Sequence, residues 1–535
     1  MTTQPILIND HWSHTPGEES IQPENPATGE LLDQIYPVST LSTLRCMCDH
    51  ALRAGDELNR CPPDQIATFL ETQANLIDQR RDEIALMANL ETGLPVQPRL
   101  RDTEMDRTIN QLRQAAGCVR SRDWMKARID TRLNLRSMYE PLGGAVLTIG
   151  PNNFPLAYNG IAGGDYAAAI AARNPVIAKA HPLHPGTTQL LARCAHDAAT
   201  QTGLPRGSIQ MFYHCTPDHG LALIETAGIS AVGFTGSRRV GLELKKVADK
   251  AGTPIYLELS SINPMFLLPG AINARGNEIA DMIADSLLAA SGQQCTCPGL
   301  IVVPSGPACE EFIERLKIRL REAEPQVMLS ASGVEGLHES VQHVLKHGAE
   351  RILGGLPVRD AHAKYEHTLL RVDASRYFEQ PDELQHEMFG VAALLVVCEK
   401  AQHLVEIARS LGGNLTGTIH SDHNDGGEQQ LVDRITRVLR KRVGRLIHDA
   451  VPTGVSVNAA TVHGGPFPAT GHPGFTAVGM PTAIHRFAAL RCYDRVGQHD
   501  LPPELRDQNP TGTMSRFIDG QWTTRDASDG THSTD

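Results

Sequence analysis

Four short segments of this sequence carry residues whose types and surroundings suit chemistry. Cys295 lies in Ser291-Gly-Gln-Gln-Cys295-Thr-Cys-Pro-Gly299, a run of small and turn-forming residues that lets a substrate approach a thiol. A thiolate is a strong nucleophile once its pKa is lowered. A cysteine is otherwise a small inert hydrophobe, and on spacing alone Cys297 is as good a nucleophile as Cys295. Glu258, in Tyr-Leu-Glu-Leu-Ser-Ser, is a carboxylate among apolar neighbours. It either faces solvent or is desolvated with the raised pKa of a general base. Asn153, in Pro151-Asn-Asn-Phe-Pro155, offers an amide to an oxyanion or simply organises a turn. Gly233-Phe-Thr-Gly236-Ser237 ends one apolar run and precedes a helix-like stretch. Backbone N–H groups at such a helix start hold a pyrophosphate, though Gly and Ser serve equally as turn and N-cap.

These segments need elements to position them. Between Gly143 and Ser260, short β-branched runs at 144–150, 175–180, 208–213, 231–236 and 254–259 alternate with Ala-rich stretches such as Asn159 to Arg173 and Thr187 to Gln201. That alternation predicts a parallel sheet covered on both faces, whose ligands bind beyond the carboxyl ends of its strands. Asp64 to Gln114 reads as mostly helical, after forty residues of short strands and turns. Ile279, Met282, Ile283 and Leu287 fall on one helical face that ends at Ser291-Gly292, and a second αβ region runs from about Leu300 to Val457. Arg128 to Tyr139 alternates with the period of a strand that could pair in an oligomerisation ribbon. The tail after Val496 is rich in Pro, Asp, Thr and Gly, with one strand-like piece at 517–523.

Composition removes several classes of function. The 535 residues carry 49 Lys or Arg against 61 Asp or Glu, a net charge of −12, with 4% aromatic residues, so neither the basic stripes nor the stacking rings of a nucleic-acid binder are present. Three stretches free of charge, at 142–164, 286–309 and 450–485, are broken by Pro, Gly, Asn and Gln and cannot satisfy their backbone in lipid, so no membrane partner is expected. The first residues show no basic and apolar signal pattern, which makes the cytoplasm the expected location. Eleven scattered cysteines form no paired Cys-x-x-Cys framework or zinc-type His cluster, so reduced thiols and no metal are expected. No Gly-x-Gly-x-x-Gly follows a strand, and Gly236-Ser-Arg-Arg-Val-Gly241 is followed by Leu242 rather than Lys, which excludes the ordinary Rossmann fingerprint and the P-loop.

The segments, in order, resemble the aldehyde dehydrogenase superfamily: Pro-Asn-Asn-Phe-Pro, Asn174-Pro-Val-Ile-Ala-Lys179, Gly-Phe-Thr-Gly-Ser, Leu-Glu-Leu, Gly-Gln-Gln-Cys, Glu387-Met-Phe389-Gly and Asn414-Leu-Thr-Gly-Thr418. The likeness runs from about Ile8 to Cys492. Lys179-Ala-His-Pro-Leu-His-Pro-Gly-Thr187, Ser261-Ile-Asn-Pro-Met-Phe-Leu-Leu-Pro-Gly270, Cys-Thr-Cys-Pro-Gly-Leu and His463-Gly-Gly-Pro-Phe-Pro-Ala-Thr470 resemble its 2-oxoglutarate semialdehyde (2,5-dioxopentanoate) dehydrogenase branch, and Leu501 to Pro510 and Asp519 to Thr523 fit it too.

The resemblance implies an α/β fold: a Rossmann-type cofactor domain of residues 1–125 and 143–259, an α/β catalytic domain of 260–456, a small β bridging or oligomerisation element of 126–142 and 457–500, and a tail of 501–535. It implies that Cys295 attacks the aldehyde, that Asn153 and the Cys295 N–H hold the oxyanion, that hydride leaves to a nicotinamide to give a thioester, and that Glu258 activates the hydrolytic water. Lys179 and Glu387, the latter beside Phe389, match positions that contact the cofactor riboses, and Gly236 and Ser237 match the pyrophosphate turn. NAD-preferring relatives carry an acidic residue three positions after the lysine; here Pro182 follows Ala180 and His181, so Lys179, His181 or Arg238 can pair with a 2′-phosphate and NADP is expected to be accepted and preferred over NAD. The branch's acidic substrate calls for a cation in the entry tunnel, for which Arg107 and Arg113 are the candidates, with solvated helix charges as the plain alternative. Ser260-Ser-Ile262 replaces the common Gly-Gly-Lys and adds Cβ atoms beside Glu258, and Cys297 beside Cys295 suggests oxidative linkage. Other aldehydes such as long-chain fatty aldehydes, a CoA-acylating enzyme, a Cys-His hydrolase and a catalytically weak protein of the same fold are the alternatives. Retention of Glu258 favours hydrolysis over thiolysis, and a homodimer or homotetramer is expected.

Overall fold

The computed structural model describes residues 3–14, 19–422 and 427–527. The β-branched runs after Gly143 form strands Ala145–Ile149, Val176–Lys179, Ile209–Phe212, Ile229–Thr235 and Ile255–Glu258, all mutually parallel. In the sheet they run in the order 255–258, 229–235, 145–149, 176–179, 209–212, and two N-terminal strands, Ile6–Ile8 and His11–Ser13, extend the last edge antiparallel. Helices Leu41–Leu58, Gly164–Ala171, Pro185–Thr202 and Arg238–Ala251 pack on these strands. Because both faces are covered, the central strands read as continuous apolar runs rather than as alternation.

A second sheet holds strands Met265–Leu267, Leu300–Pro304, Glu350–Leu353, Thr368–Asp373, Ala392–Cys398, Asn414–His420 and Val443–His448, parallel apart from the edge strand Glu350–Leu353. Side chains of Leu300–Pro304 alternate between two cores. Ile301 and Val303 join Ile279, Ile283 and Phe312 from helices Pro269–Leu288 and Pro307–Glu322, whereas Leu300 and Val302 join Leu337 and Val341 from helix Ala331–Lys346. Period-two geometry sends successive residues to opposite faces, and each such buried side chain contributes roughly 1.5–3 kcal/mol.

The third sheet departs from expectation. The alternation over Arg128 to Tyr139 reads as one strand, but the chain folds there as a hairpin of Arg128–Asp130 and Leu135–Pro141. Asp130 accepts from Leu133 N at 2.8 Å and Asn134 takes φ 52°, a left-handed turn that alternation cannot reveal. Strand Ala488–Asp494 pairs with Leu135–Pro141, and the hairpin Arg516–Ile518/Gln521–Thr523 pairs with Arg128–Asp130. The C-terminal residues up to 527 are thus built into this sheet: buried Arg516 donates to the carbonyls of Arg506, Asp507 and Arg525. Residues 457–487 lie not in that sheet but against the ends of the other two large sheets, where Gly413 N donates to Phe467 O at 3.1 Å. Leu259 N donates to Ala469 O at 2.8 Å, and Phe475, Ala477 and Val478 pack on Ala157 and Tyr158. Among the described residues no helix is long and apolar enough to cross a membrane.

Candidate active site

The thiol turn is fixed by its own backbone. Helix Pro269–Leu288 is followed by Ala290, Ser291 and Gly292, all with positive φ, and the chain then turns at 294–297 before entering strand Leu300–Pro304. A Cβ on Gly292 would come within 2.2 Å of the Gly390 carbonyl carbon, so only glycine lets this turn close on the segment that carries Glu387 and Phe389. Asn263 Nδ2 donates to the carbonyls of both Cys295 and Cys297 at 2.9 Å, and Asn153 Nδ2 donates to Gln293 O at 2.9 Å. Ser261, in place of a usual glycine, commits its hydroxyl to Asn263 Oδ1 at 2.9 Å and accepts from Leu415 N at 3.0 Å. The departure from Gly-Gly-Lys is therefore absorbed into the network that anchors the turn.

Cys295 Sγ lies 3.5 Å from His463 Nε2, and the same nitrogen lies 2.8 Å from Glu258 Oε1. Glu258, the last residue of its strand, is 1% exposed, and its other oxygen, Oε2, is buried without a hydrogen-bond partner. The carboxylate therefore faces inward. His463 has no chemical role in the sequence reading, where it appears only inside a Gly/Pro-rich motif; the available signal was an imidazole in a long charge-free stretch. Its backbone is pinned by a 2.9 Å bond from His463 N to Thr476 Oγ1. Of the two candidate thiols, Cys295 lines the cavity, whereas Cys297 packs in the apolar core with helix Pro269–Leu288. That placement gives the two thiols different surroundings, one on the cavity and one in the apolar core.

Burial first, and then the Glu258 carboxylate, push the Cys295 thiol well above the ordinary cysteine range, with Arg107 acting in the opposite sense. A raised pKa means that the free enzyme carries the thiol at neutral pH and the reactive thiolate grows with pH. Alkylation of Cys295 by iodoacetamide is accordingly expected to quicken about tenfold per pH unit from pH 7 to 9. A rate that levels off below pH 8 would contradict it.

The cavity beside Cys295 has a volume of about 750 Å³ and is lined by Arg99, Arg107, Phe154, Tyr158 and His463 among others. Arg99 is neutralised by Glu104 at 2.5 Å. Arg107 is not: its Nη2 donates to the neutral Tyr158 hydroxyl at 3.1 Å, its Nε is buried without a hydrogen bond, and among the described residues no carboxylate pairs with it. The guanidinium instead lies 5.0 Å and 5.5 Å from the ring centroids of Tyr158 and Phe154. Arg113 stands elsewhere, on the exposed face of helix Met105–Ser121, donating to Asn75 Oδ1 at 3.1 Å. Six positions turn a helix by roughly 240° beyond a full circuit, so the two arginines cannot share a cavity. Arg113 is therefore not a cavity residue.

Lys179, His181, Gly236 and Ser237 lie at or just beyond the carboxyl ends of two parallel strands of the first sheet, where such sheets bind dinucleotides, and Glu387 and Phe389 come from the loop before strand Ala392–Cys398. Lys179 ends its strand with its Nζ on Ala180 O at 3.2 Å, and burial lowers its pKa. His181 stacks on His184 at 5.3 Å, and burial, His184 and Lys179 hold its pKa well below the histidine range, so it is an uncharged imidazole. Ser237 caps helix Arg238–Ala251, accepting from Val240 N at 3.4 Å, and a Cβ on Gly236 would meet the Phe234 ring at 2.7 Å. Arg238 Nε is buried without a hydrogen bond. Glu387 Oε1 accepts from Ser261 N at 3.2 Å and burial raises its pKa, while Phe389 is half-buried one residue before Gly390. A helix start, a lysine, an unsatisfied guanidinium nitrogen and a carboxylate are a donor set that fits a nicotinamide dinucleotide.

Sheet and thiol together define a class, the α/β oxidoreductases that oxidise a carbonyl carbon through cysteine. The chain belongs to the aldehyde dehydrogenase family, whose family model matches residues 12–434. It is 36% identical over 509 residues to alpha-ketoglutaric semialdehyde dehydrogenase 2 of Azospirillum brasilense, covering 93% of this chain and 95% of that protein. It is 34% identical over 504 residues to alpha-ketoglutaric semialdehyde dehydrogenase of Acinetobacter baylyi, covering 92% and 93%. Among solved structures, aldehyde dehydrogenase C of Pseudomonas syringae, complexed with NAD+ and octanal, matches with a TM-score of 0.79 at 21% identity over 94% of this chain and 98% of that one, which establishes the shared fold.

Proposed function

We propose that this aldehyde dehydrogenase oxidises 2-oxoglutarate semialdehyde (2,5-dioxopentanoate) to 2-oxoglutarate, with Arg107 holding the substrate carboxylate while the aldehyde carbon meets Cys295. The observation that carries this reading is the guanidinium of Arg107, unpaired in the cavity that presents the thiol. Leaving a half-buried guanidinium with a buried, unpartnered Nε and no counterion carries a cost, and an anionic substrate supplies the missing partner through charge-assisted hydrogen bonds. A long-chain fatty aldehyde would fill the same cavity and leave that cost in place. The names of the two relatives above agree with the acidic substrate.

Cys295 Sγ attacks the aldehyde carbon, and its proton passes toward the His463–Glu258 pair at 3.5 Å. Of the two N–H groups on Asn153, one is spent on Gln293 O, which leaves the second for the oxyanion, together with the Cys295 backbone N–H. When bound, the dinucleotide supplies the two-electron acceptor that converts the adduct to a thioester. Glu258 then draws a proton from water, and the hydroxide cleaves the thioester to release the acid and the thiol. Lys179 and Arg238 give the adenosine side positive charge where Pro182 leaves no carboxylate, so NADP is the preferred cofactor. The five-stranded sheet leaves Leu490 57% exposed on edge strand Ala488–Asp494, which suits a homodimer or homotetramer joined there.

The test is the absorbance of reduced cofactor with 2-oxoglutarate semialdehyde and with pentanal, using NADP or NAD, with and without CoA. Turnover independent of CoA, favouring the acidic aldehyde and NADP, is expected; a preference for pentanal, or for NAD, would overturn the corresponding assignment. Arg107→Met is expected to raise KM for the acidic aldehyde at least about tenfold, the loss of one charge-assisted pair, and to change that for pentanal by less than about twofold. Equal effects on the two would remove Arg107 from substrate recognition.

A further inference from the structure

Among the described residues two groups of side chains bring potential metal-ligand atoms together. One is Glu258, Cys295 and His463, already accounted for by the chemistry above; the other, on the second sheet's helices, is His343, His347 and Glu383. We infer that this second group is a binding site for a first-row divalent transition metal of the Zn²⁺ type, with water completing the coordination.

His343 and His347 stand four residues apart at the end of helix Ala331–Lys346, so their rings share one face. Glu383 comes from the short helix Pro381–Leu384 opposite, with Oε2 3.0 Å from His343 Nε2. The three donor atoms all lie within 4.8 Å of one another. Ligands about 2.0–2.2 Å from a common ion stand roughly 3–4 Å apart, so small side-chain rotations close the set. His343 Nε2 is buried and makes no hydrogen bond, although the carboxylate is beside it. His347 Nδ1 donates to the His343 carbonyl at 2.8 Å, which fixes the tautomer and leaves the Nε2 lone pair free. Metal-ligating histidines are oriented by that kind of second hydrogen bond. A third imidazole, His386, packs on His343 at 4.5 Å, and its Nε2 lies 3.3 Å from Ser340 Oγ. Two imidazoles and one carboxylate with open positions form a donor set that selects Zn²⁺-like ions over Mg²⁺ or Ca²⁺.

The site is half-exposed, so the ion enters from solvent. Once bound, it ties the end of helix Ala331–Lys346 to the segment that continues from Glu383 to Glu387, the residue that accepts from Ser261. The metal is thus a clamp on the cofactor side of the active site, taking no part in the reaction.

The experiment is calorimetric titration of ZnCl₂ into the full chain carrying Cys295→Ala, which removes the thiol of the Glu258–His463 group, and into the same chain with His343→Gln and His347→Gln added. One equivalent bound with a Kd of about 1 µM or tighter is expected in the first, weakened at least about thirtyfold in the second. Glu383→Gln, at a half-exposed carboxylate, is expected to weaken binding with no effect on folding. Co²⁺ in place of Zn²⁺ is expected to give visible d–d bands without a thiolate charge-transfer band. With Cys295 intact, the histidine variants are expected to keep metal-free dehydrogenase activity, which shows that they fold. Equal affinity and stoichiometry with and without the two histidines, a thiolate band, or no binding at 100 µM Zn²⁺ (two decades above the expected Kd,) would overturn the site.

Discussion

Cys295→Ala is expected to lower kcat/KM for aldehyde-dependent reduction of the dinucleotide by at least about 10⁴-fold, because it removes the covalent step outright rather than one contact to it. No second thiol can substitute: Cys297 is turned into the apolar core with helix Pro269–Leu288 while Cys295 alone lines the cavity. The turn itself should survive, since Asn263 and Asn153 hold it through backbone carbonyls and not through the sulfur. Dinucleotide binding, followed by quenching of intrinsic fluorescence, is therefore expected to persist in the variant. Cys297→Ala is the matched control and should keep activity within about threefold of the parent. Residual turnover in Cys295→Ala comparable with the parent would mean that the aldehyde is oxidised without a thiohemiacetal.

What was legible in the sequence follows the range of the interactions involved. Cys295, Glu258 and Asn153 could be singled out because each sits at the end of a strand or a few residues beyond a strand or helix whose own apolar pattern announces it, and the parallel sheets themselves follow from β-branched runs. Residues whose position depends on distant pairing were not legible. His463 reaches Glu258 only because residues 457–487 fold back along the ends of both large sheets, a return that no local periodicity encodes. Asn263 reads as part of an irregular Ser-Ile-Asn-Pro segment until its amide is seen joining two carbonyls more than thirty positions later. Arg113 shows the opposite failure: its residue type suits the substrate, but its helical phase points it at solvent. At Arg128 to Tyr139 the alternation was real, yet a turn at Asn134 divides it, because alternation continues through a hairpin with little sign of the break. His343, His347 and Glu383 are likewise joined by packing between a long helix and a short one.

Glu258→Gln is expected to split the reaction into two stages. The amide keeps the shape of the carboxylate and can still accept from His463 Nε2, so the imidazole and the thiol stay in place. It cannot take a proton from water. The first turnover should therefore release one reduced dinucleotide per active site as a burst, followed by a steady state slowed by about 10²–10⁴-fold while the thioester waits for hydrolysis. Rapid mixing with the acidic aldehyde measures both phases, and intact-mass analysis of the quenched enzyme should show the acyl group on Cys295. A second readout separates this from a merely structural defect. The Glu258 carboxylate is one of the groups that raise the Cys295 pKa, so removing its charge must lower that pKa and speed alkylation at pH 7. A variant with faster alkylation, an intact burst and arrested turnover has lost the base and kept the nucleophile. Loss of the burst together with faster alkylation would instead place Glu258 before hydride transfer, as the group that carries the thiol's proton through His463.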